Sequence, residues 1–220
     1  MAGRSSMHSF TGVVAVVVVA VAVVGVGWLA WTQLRPDDGD VAVIGDSISV
    51  LLGADEDLAL AGRATRVHAV SGARVAEMSD AADEVADRGT RDVVVNLGTN
   101  DVLQGRPPDQ VVADLAALTD VVDAGSCVHV VTISEHMVST DHPDVNQRAA
   151  SVNDGIRRLA EQRGYQVIDW SAIVGEHLDE SDPQFPPTVD SVHPSESGQA
   201  LLTTAIEDSL RDGCGIDLVP

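Results

Sequence analysis

Between residues 41 and 220, short apolar runs alternate with longer segments of helical period. The runs are Val41-Ala42-Val43-Ile44, Arg66–Val70, Asp92–Leu97, Val128–Ile133 and Gln166–Trp170. Their Val and Ile residues follow one another instead of alternating with polar ones, which suits parallel strands covered on both faces. The intervening segments Ala73–Arg88, Pro108–Asp123, Asn146–Arg163 and Ser195–Arg211 read as helices. Pro108 and Ser195 suit helix starts, and Gly125 and Gly164 suit helix ends. The alternation predicts an α/β fold: a doubly wound parallel sheet of five strands with helices on its faces.

Residues 12–31 break this pattern. From Gly12 to Trp31 the chain is almost wholly Val, Ala, Gly and Leu, without a charge. Twenty such residues in a helix span about 30 Å, the thickness of a bilayer core. Trp28 and Trp31 stand at its end, where interfacial aromatics belong. The competing reading is a cleaved signal peptide, which would leave the domain secreted. The run is longer than a signal core, and Trp28 and Trp31 follow its last small-x-small exit at Gly25-Val26-Gly27. The expected organisation is therefore a tail (1–11), a transmembrane anchor (12–31), a linker (32–40) and a domain (41–220). The very short N-terminal tail favours a single pass with the domain extracytoplasmic.

Charge then narrows the partners. The net charge is −21, from 34 acidic and 13 basic residues. That excludes nucleic acid as an expected partner, because phosphate binding needs basic patches. Every basic residue is Arg, so a P-loop Lys or a Schiff-base Lys is ruled out.

In a doubly wound sheet, ligands bind beyond the C-terminal ends of the strands. Four polar clusters fall there: Gly45-Asp46-Ser47, Ser71-Gly72-Ala73-Arg74, Gly98-Thr99-Asn100-Asp101 and Asp190-Ser191-Val192-His193. A serine hydroxyl needs a base to become a nucleophile. His193 is a candidate base for Ser47. Asp190, three residues earlier, can orient its ring across a tight turn. The backbone N–H groups of Ser47 and Gly72 and the side-chain amide of Asn100 can supply oxyanion donors.

In this order, the blocks resemble those of the SGNH/GDSL hydrolase family. Val43-Ile44-Gly45-Asp46-Ser47 is similar to its nucleophile block, and Gly72 to its second-block glycine. Gly98-Thr99-Asn100-Asp101 is similar to its G-x-N-D block, and Asp190-Ser191-Val192-His193 to its D-x-x-H block. The resemblance runs from about Val41 to Leu210. It implies a three-layer α/β/α sandwich with flavodoxin-like strand order. It also implies Ser47 as nucleophile, His193 as base and Asp190 as its orienter. Ser47, Gly72 and Asn100 then form the oxyanion hole, with no cofactor and no metal. The α/β-hydrolase elbow G-x-S-x-G is absent, since Ser49 stands at its last position.

The function expected is a membrane-anchored, extracytoplasmic serine esterase or lipase. Its substrate would be a small acyl ester, a lipid or an acylated glycan. O-acetyl transfer or removal on envelope carbohydrate is the close alternative, and a catalytically silent envelope-binding module the distant one. Segments Ser134–Val145 and Gly175–Val189 are expected to be loops walling the pocket, with His136 and His142 as surface residues. His68, His129 and His177 show no metal-ligand spacing. Cys127 and Cys214 are a disulfide pair in an oxidising compartment, or else two buried thiols.

Overall fold

A computed structural model of the chain describes residues 40–53, 58–123, 125–180 and 186–214. The expected tail, the anchor at 12–31 and all but the last residue of the linker lie outside the described residues. Among the described residues, no helix is long and apolar enough to cross a membrane.

The elements in chain order are β1 (Val41–Gly45), α1 (Ser47–Leu52), β2 (Ala59–Leu60), β3 (Arg63–Ala69), a 3₁₀ turn (Val75–Met78) and α2 (Ser79–Arg88). There follow β4 (Asp92–Asn96), α3 (Thr99–Leu103), α4 (Pro108–Val122), β5 (Cys127–Val131), α5 (Val145–Arg163), β6 (Gln166–Ile168), α6 (Trp170–Glu180) and α7 (Glu196–Asp212). The strand order is β2-β3-β1-β4-β5-β6. The four pairings among the five expected strands are parallel and in the expected flavodoxin-like order. Among the described residues the sheet is mixed, however, with six strands and not five. The two-residue β2 pairs antiparallel with β3 at the edge.

The alternation of side chains along β1 builds the layers. Ala42 and Ile44 point into one core with residues of α2, α4 and α5. Val41 and Val43 point into another, with α1, α6 and α7. Every residue of β1, β4 and β5 is buried, as strands covered on both faces require. Burial of each such Val or Ile contributes roughly 1.5–3 kcal/mol.

Three expected boundaries shift. β3 starts at Arg63, earlier than the apolar run suggested, because it lies near the sheet edge and its residues alternate between half-buried and exposed. The helix expected from Ala73 starts late. Arg74 is extended (φ −91°, ψ 162°), and the α-helix proper begins at Ser79 after the 3₁₀ turn. Trp170 does not end a strand. It opens α6, which fills much of the segment expected to be a loop from Gly175. Trp170 and Val174, one turn apart, are both buried and drive this helix onto the sheet. At the end of the domain, Ser195 caps α7 by accepting the Gly198 N–H at 3.1 Å.

At the N-terminal edge of the sheet, Cys127 is joined to Cys214 in a disulfide, with Cα atoms 5.4 Å apart. It ties the segment after α7 to the first residue of β5.

Candidate active site

Register brings the blocks together. Gly45 at the end of β1 lies opposite Ala69 of β3 and Asn96 of β4. The residues that follow these three strands therefore leave the sheet side by side. Ser47 is the first residue of α1, with Asp46 as its N-cap. Glycine is required before them, since a Cβ on Gly45 would sit 2.0 Å from Ser49 Oγ. Ser49 itself is fully buried and accepts a hydrogen bond from Asn96 Nδ2 at 3.1 Å, so it is no rival for solvent-borne substrate.

Ser47 Oγ lies 3.0 Å from His193 Nε2. His193 Nδ1 lies 2.7 Å from Asp190 Oδ2. The other Asp190 oxygen accepts the backbone N–H groups of Val192 (3.0 Å) and His193 (2.7 Å). The turn is thus closed around the carboxylate, which pins the imidazole from both its ring and its backbone. Ser191 takes the left-handed conformation (φ 69°), and its Oγ accepts the Val138 N–H at 2.9 Å. Antiparallel bonding of Thr188 with Pro194, and of Val189 N–H with His193 O at 2.9 Å, braces the same loop. Burial alone would push the Asp190 carboxyl up. The His193 ring and the two backbone N–H groups outweigh it and hold the carboxyl below the usual range.

Gly72 has φ 79°, a left-handed value that a side chain would strain, so the turn carrying its N–H depends on glycine. Asn100 Nδ2 donates to two acceptors, Asp46 Oδ2 and Ala73 O, each at 3.1 Å. Its amide therefore bridges the nucleophile turn to the Gly72 turn. The structure brings Ser47, Asp190 and His193 into one hydrogen-bonded chain, with Asn100 bonded to Asp46, the residue before Ser47.

Three members of this site go beyond the roles legible in sequence, Asp46 and Asp101 within the polar clusters and Arg106 outside them. Asp46 is fully buried, with Oδ1 accepting the Ile48 N–H at 3.0 Å. Burial pushes its carboxyl up to about 6, against the opposing pull of that N–H, the nearby His193 and the Asn100 amide. Asp101, also fully buried, accepts the Val75 N–H at 3.0 Å and an Arg106 Nη1–H at 2.6 Å. Only the adjacency of Asp46 to Ser47 and of Asp101 to Asn100 signalled the first two. Nothing local signalled Arg106.

The histidines divide. His136 is exposed and His142 half-buried. His129 is fully buried at the far edge of the sheet, where Cys127, His129 and Cys214 place their ligand atoms within 4.8 Å of one another. Metal binding there would need thiolates, and the two sulfurs are bonded to each other.

A doubly wound α/β sandwich with a serine, a histidine and a carboxylate at its C-terminal edge is the build of a serine-hydrolase fold. The sequence model of the GDSL-like Lipase/Acylhydrolase family matches residues 25–201, and the chain belongs to that family. It is accordingly an enzyme acting on ester bonds. Solved structures share its fold at low identity. A GDSL-like lipase from Bacteroides thetaiotaomicron superposes with TM-score 0.68 at 19% identity, covering 82% of this chain and 91% of that one. The acetylxylan esterase Axe2 from Geobacillus stearothermophilus gives 0.65 at 19% identity, covering 83% and 96%. A lipolytic protein of the G-D-S-L family from Veillonella parvula gives 0.64 at 19%, covering 77% and 96%. No curated protein sequence matches the chain.

Proposed function

We propose that this chain is an extracytoplasmic, membrane-anchored serine hydrolase that cleaves carboxylic esters through an acyl-serine intermediate. The observation that carries the chemistry is the unbroken chain Ser47 Oγ–His193–Asp190 at 3.0 and 2.7 Å. Neutral His193 accepts the Ser47 proton at Nε2 as Oγ attacks the ester carbonyl. Asp190 holds the Nδ1–H tautomer and stabilises the imidazolium that forms. The carbonyl oxygen becomes an oxyanion, met by the N–H groups of Ser47 and Gly72 and by Asn100, one of whose two Nδ2 hydrogens turns to it from Asp46 or Ala73. The tetrahedral intermediate expels the alcohol, which takes the proton back from His193, and leaves Ser47 acylated. Water then attacks with His193 again as base, releasing the carboxylic acid and restoring Ser47.

The test is labelling with a fluorophosphonate, which phosphonylates an activated serine. Wild-type protein should label and Ser47→Ala should not. Undiminished labelling of the variant removes Ser47 from the role. The anchor rests on the apolar run at 12–31. Full-length protein should stay with membranes after a carbonate wash, and release into the soluble fraction would overturn it.

A second reading is O-acetyl removal or transfer on envelope carbohydrate. What favours it is the shared fold with an acetylxylan esterase. p-Nitrophenyl esters from acetate to laurate, assayed beside acetylated sugars, separate it from lipid-ester hydrolysis.

A further inference from the structure

The segment bearing Gly72 is held at several points, and two successive residues of α3 hold its far half. Asn100 Nδ2 takes the Ala73 carbonyl at 3.1 Å, and Asp101 Oδ2 takes the Val75 N–H at 3.0 Å. The near half is tied to the nucleophile strand, since Val70 N–H donates to Gly45 O at 3.1 Å and Ala73 N–H to Val70 O at 3.1 Å. Asp101 is fully buried, so its aim depends on what neutralises its other oxygen. That partner is Arg106. One guanidinium nitrogen, Nη1, reaches both Asp101 Oδ1 at 2.6 Å and Asp114 Oδ2 at 2.7 Å. The Arg106 backbone N–H also donates to Asp101 O at 3.0 Å.

We propose that Arg106 is a positioning residue which, through the buried Asp101 carboxylate, fixes the Val75 end of the turn and so sets where the Gly72 N–H points. The inference rests on the acyl-serine reading above and names a residue outside the family-like blocks. A carboxylate without its cation would turn toward water or draw in other donors, releasing Val75. The Gly72 donor would then miss the oxyanion while ester binding stayed as before. Misplacement by about 1 Å can cost on the order of 10²-fold in rate.

The test compares variants for kcat, KM and the affinity of a boronic acid, whose tetrahedral serine adduct mimics the intermediate. Arg106→Gln should lower kcat by about ten- to a hundred-fold with KM within about two-fold. Boronate affinity should weaken by the same factor. Arg106→Lys should restore most of kcat, because a single ammonium can bridge the two carboxylates that one nitrogen bridges now. Asp114→Asn removes the other partner of Arg106 and should leave kcat and boronate affinity near wild type. If Arg106→Gln does not fold, Asp101→Asn takes its place: its carbonyl still meets Val75, but its NH₂ faces the guanidinium, so kcat and boronate affinity should fall together. Wild-type kcat in folded Arg106→Gln or Asp101→Asn overturns the proposal. So does an equal loss in Asp114→Asn, which would mark a general structural role. A wild-type protein that a fluorophosphonate does not label would instead overturn the acyl-serine reading itself.

Discussion

Among the described residues, two Ser–His–Asp sets lie one at each edge of the sheet, and only one of the two is accessible to a substrate. At the C-terminal edge, His193 meets Ser47 through Nε2 at 3.0 Å and Asp190 through Nδ1 at 2.7 Å. At the N-terminal edge the ring is reversed: His129 meets Ser209 through Nδ1 at 2.7 Å and Asp92 through Nε2 at 3.2 Å. Both carboxyls are held below the usual range, because hydrogen bonds outweigh the burial that would raise them. For Asp92 the donors are His129 and Arg63, the latter at 2.6 Å. The difference is access. The His193 side chain is 37% exposed, whereas that of His129 is 0% exposed. His129 is also wedged against the disulfide, with Cys127 Sγ 3.2 Å from Nε2. The same three residue types thus give a candidate catalytic chain on a loop above the sheet, and an internal strut where strand and helix enclose them.

The largest predicted effect breaks the symmetry outright. Ser47→Ala should lower kcat by a factor on the order of 10⁴–10⁶. Ser209→Ala should leave kcat near wild type and cost about 1 kcal/mol of stability through its lost hydrogen bond. Parallel kinetics and urea unfolding of the two variants test this. A large kcat loss in Ser209→Ala would mean the two edges are coupled.

Next in size is the disulfide beside His129. It spans a sequence separation of 87, and a loop of that length is stabilised by roughly 4–5 kcal/mol in the chain-entropy model. The Cys127→Ser, Cys214→Ser double variant should lose stability of that order, with kcat of the folded protein unchanged. Wild-type stability would show that the cross-link constrains nothing in the unfolded chain.

Much of this contrast was beyond the reach of sequence. The Val-rich β1, β4 and β5 announced themselves because both their faces are buried. β2 and the start of β3 did not, because an edge strand with exposed alternate residues looks like loop. α6 was hidden by Gly175, which marked a loop. The Ser47, Gly72, Asn100 and Asp190/His193 blocks were legible because each sits at a strand end or within one tight turn. The strut was not: Asp92, His129 and Ser209 meet across separations of 37 and 80 residues, with no local pattern to join them. Arg106 was missed for a related reason, since its importance lies in the buried Asp101 that it neutralises.

Third in size is Asn100. As an oxyanion donor, its loss in Asn100→Ala should cost about 10²–10³ in kcat, roughly 3–4 kcal/mol, with KM little changed. Its amide also braces Asp46 and Ala73, so the melting temperature should fall as well. A lower melting temperature with wild-type kcat in the folded fraction would leave Asn100 as a brace alone, on a par with Ser209 at the other edge.

The smallest effect concerns the buried carboxyl beside the nucleophile. Asp46 titrates at about 6 in the fold, against 3.8 for an unhindered aspartate. Between these values the unfolded chain has released a proton that the folded chain keeps. The folded state therefore loses stability as pH rises through this window, since stability falls wherever the native state binds more protons. At about 1.4 kcal/mol per unit, the loss from this group approaches 3 kcal/mol by neutral pH. Asp190 acts in the opposite sense: with its carboxyl held low, its contribution is present at neutral pH and disappears on acidification. Asp46→Asn removes only the first dependence. Its side chain can still cap Ile48, although its NH₂ would face the Asn100 amide, a cost that does not vary with pH. Unfolding free energies of wild type and Asp46→Asn, measured from about pH 4 to 7, should diverge in favour of the variant by up to about 3 kcal/mol as pH rises. Parallel curves would mean that Asp46 is ionised throughout, and that its charge is accommodated as fully as that of Asp92 at the other edge.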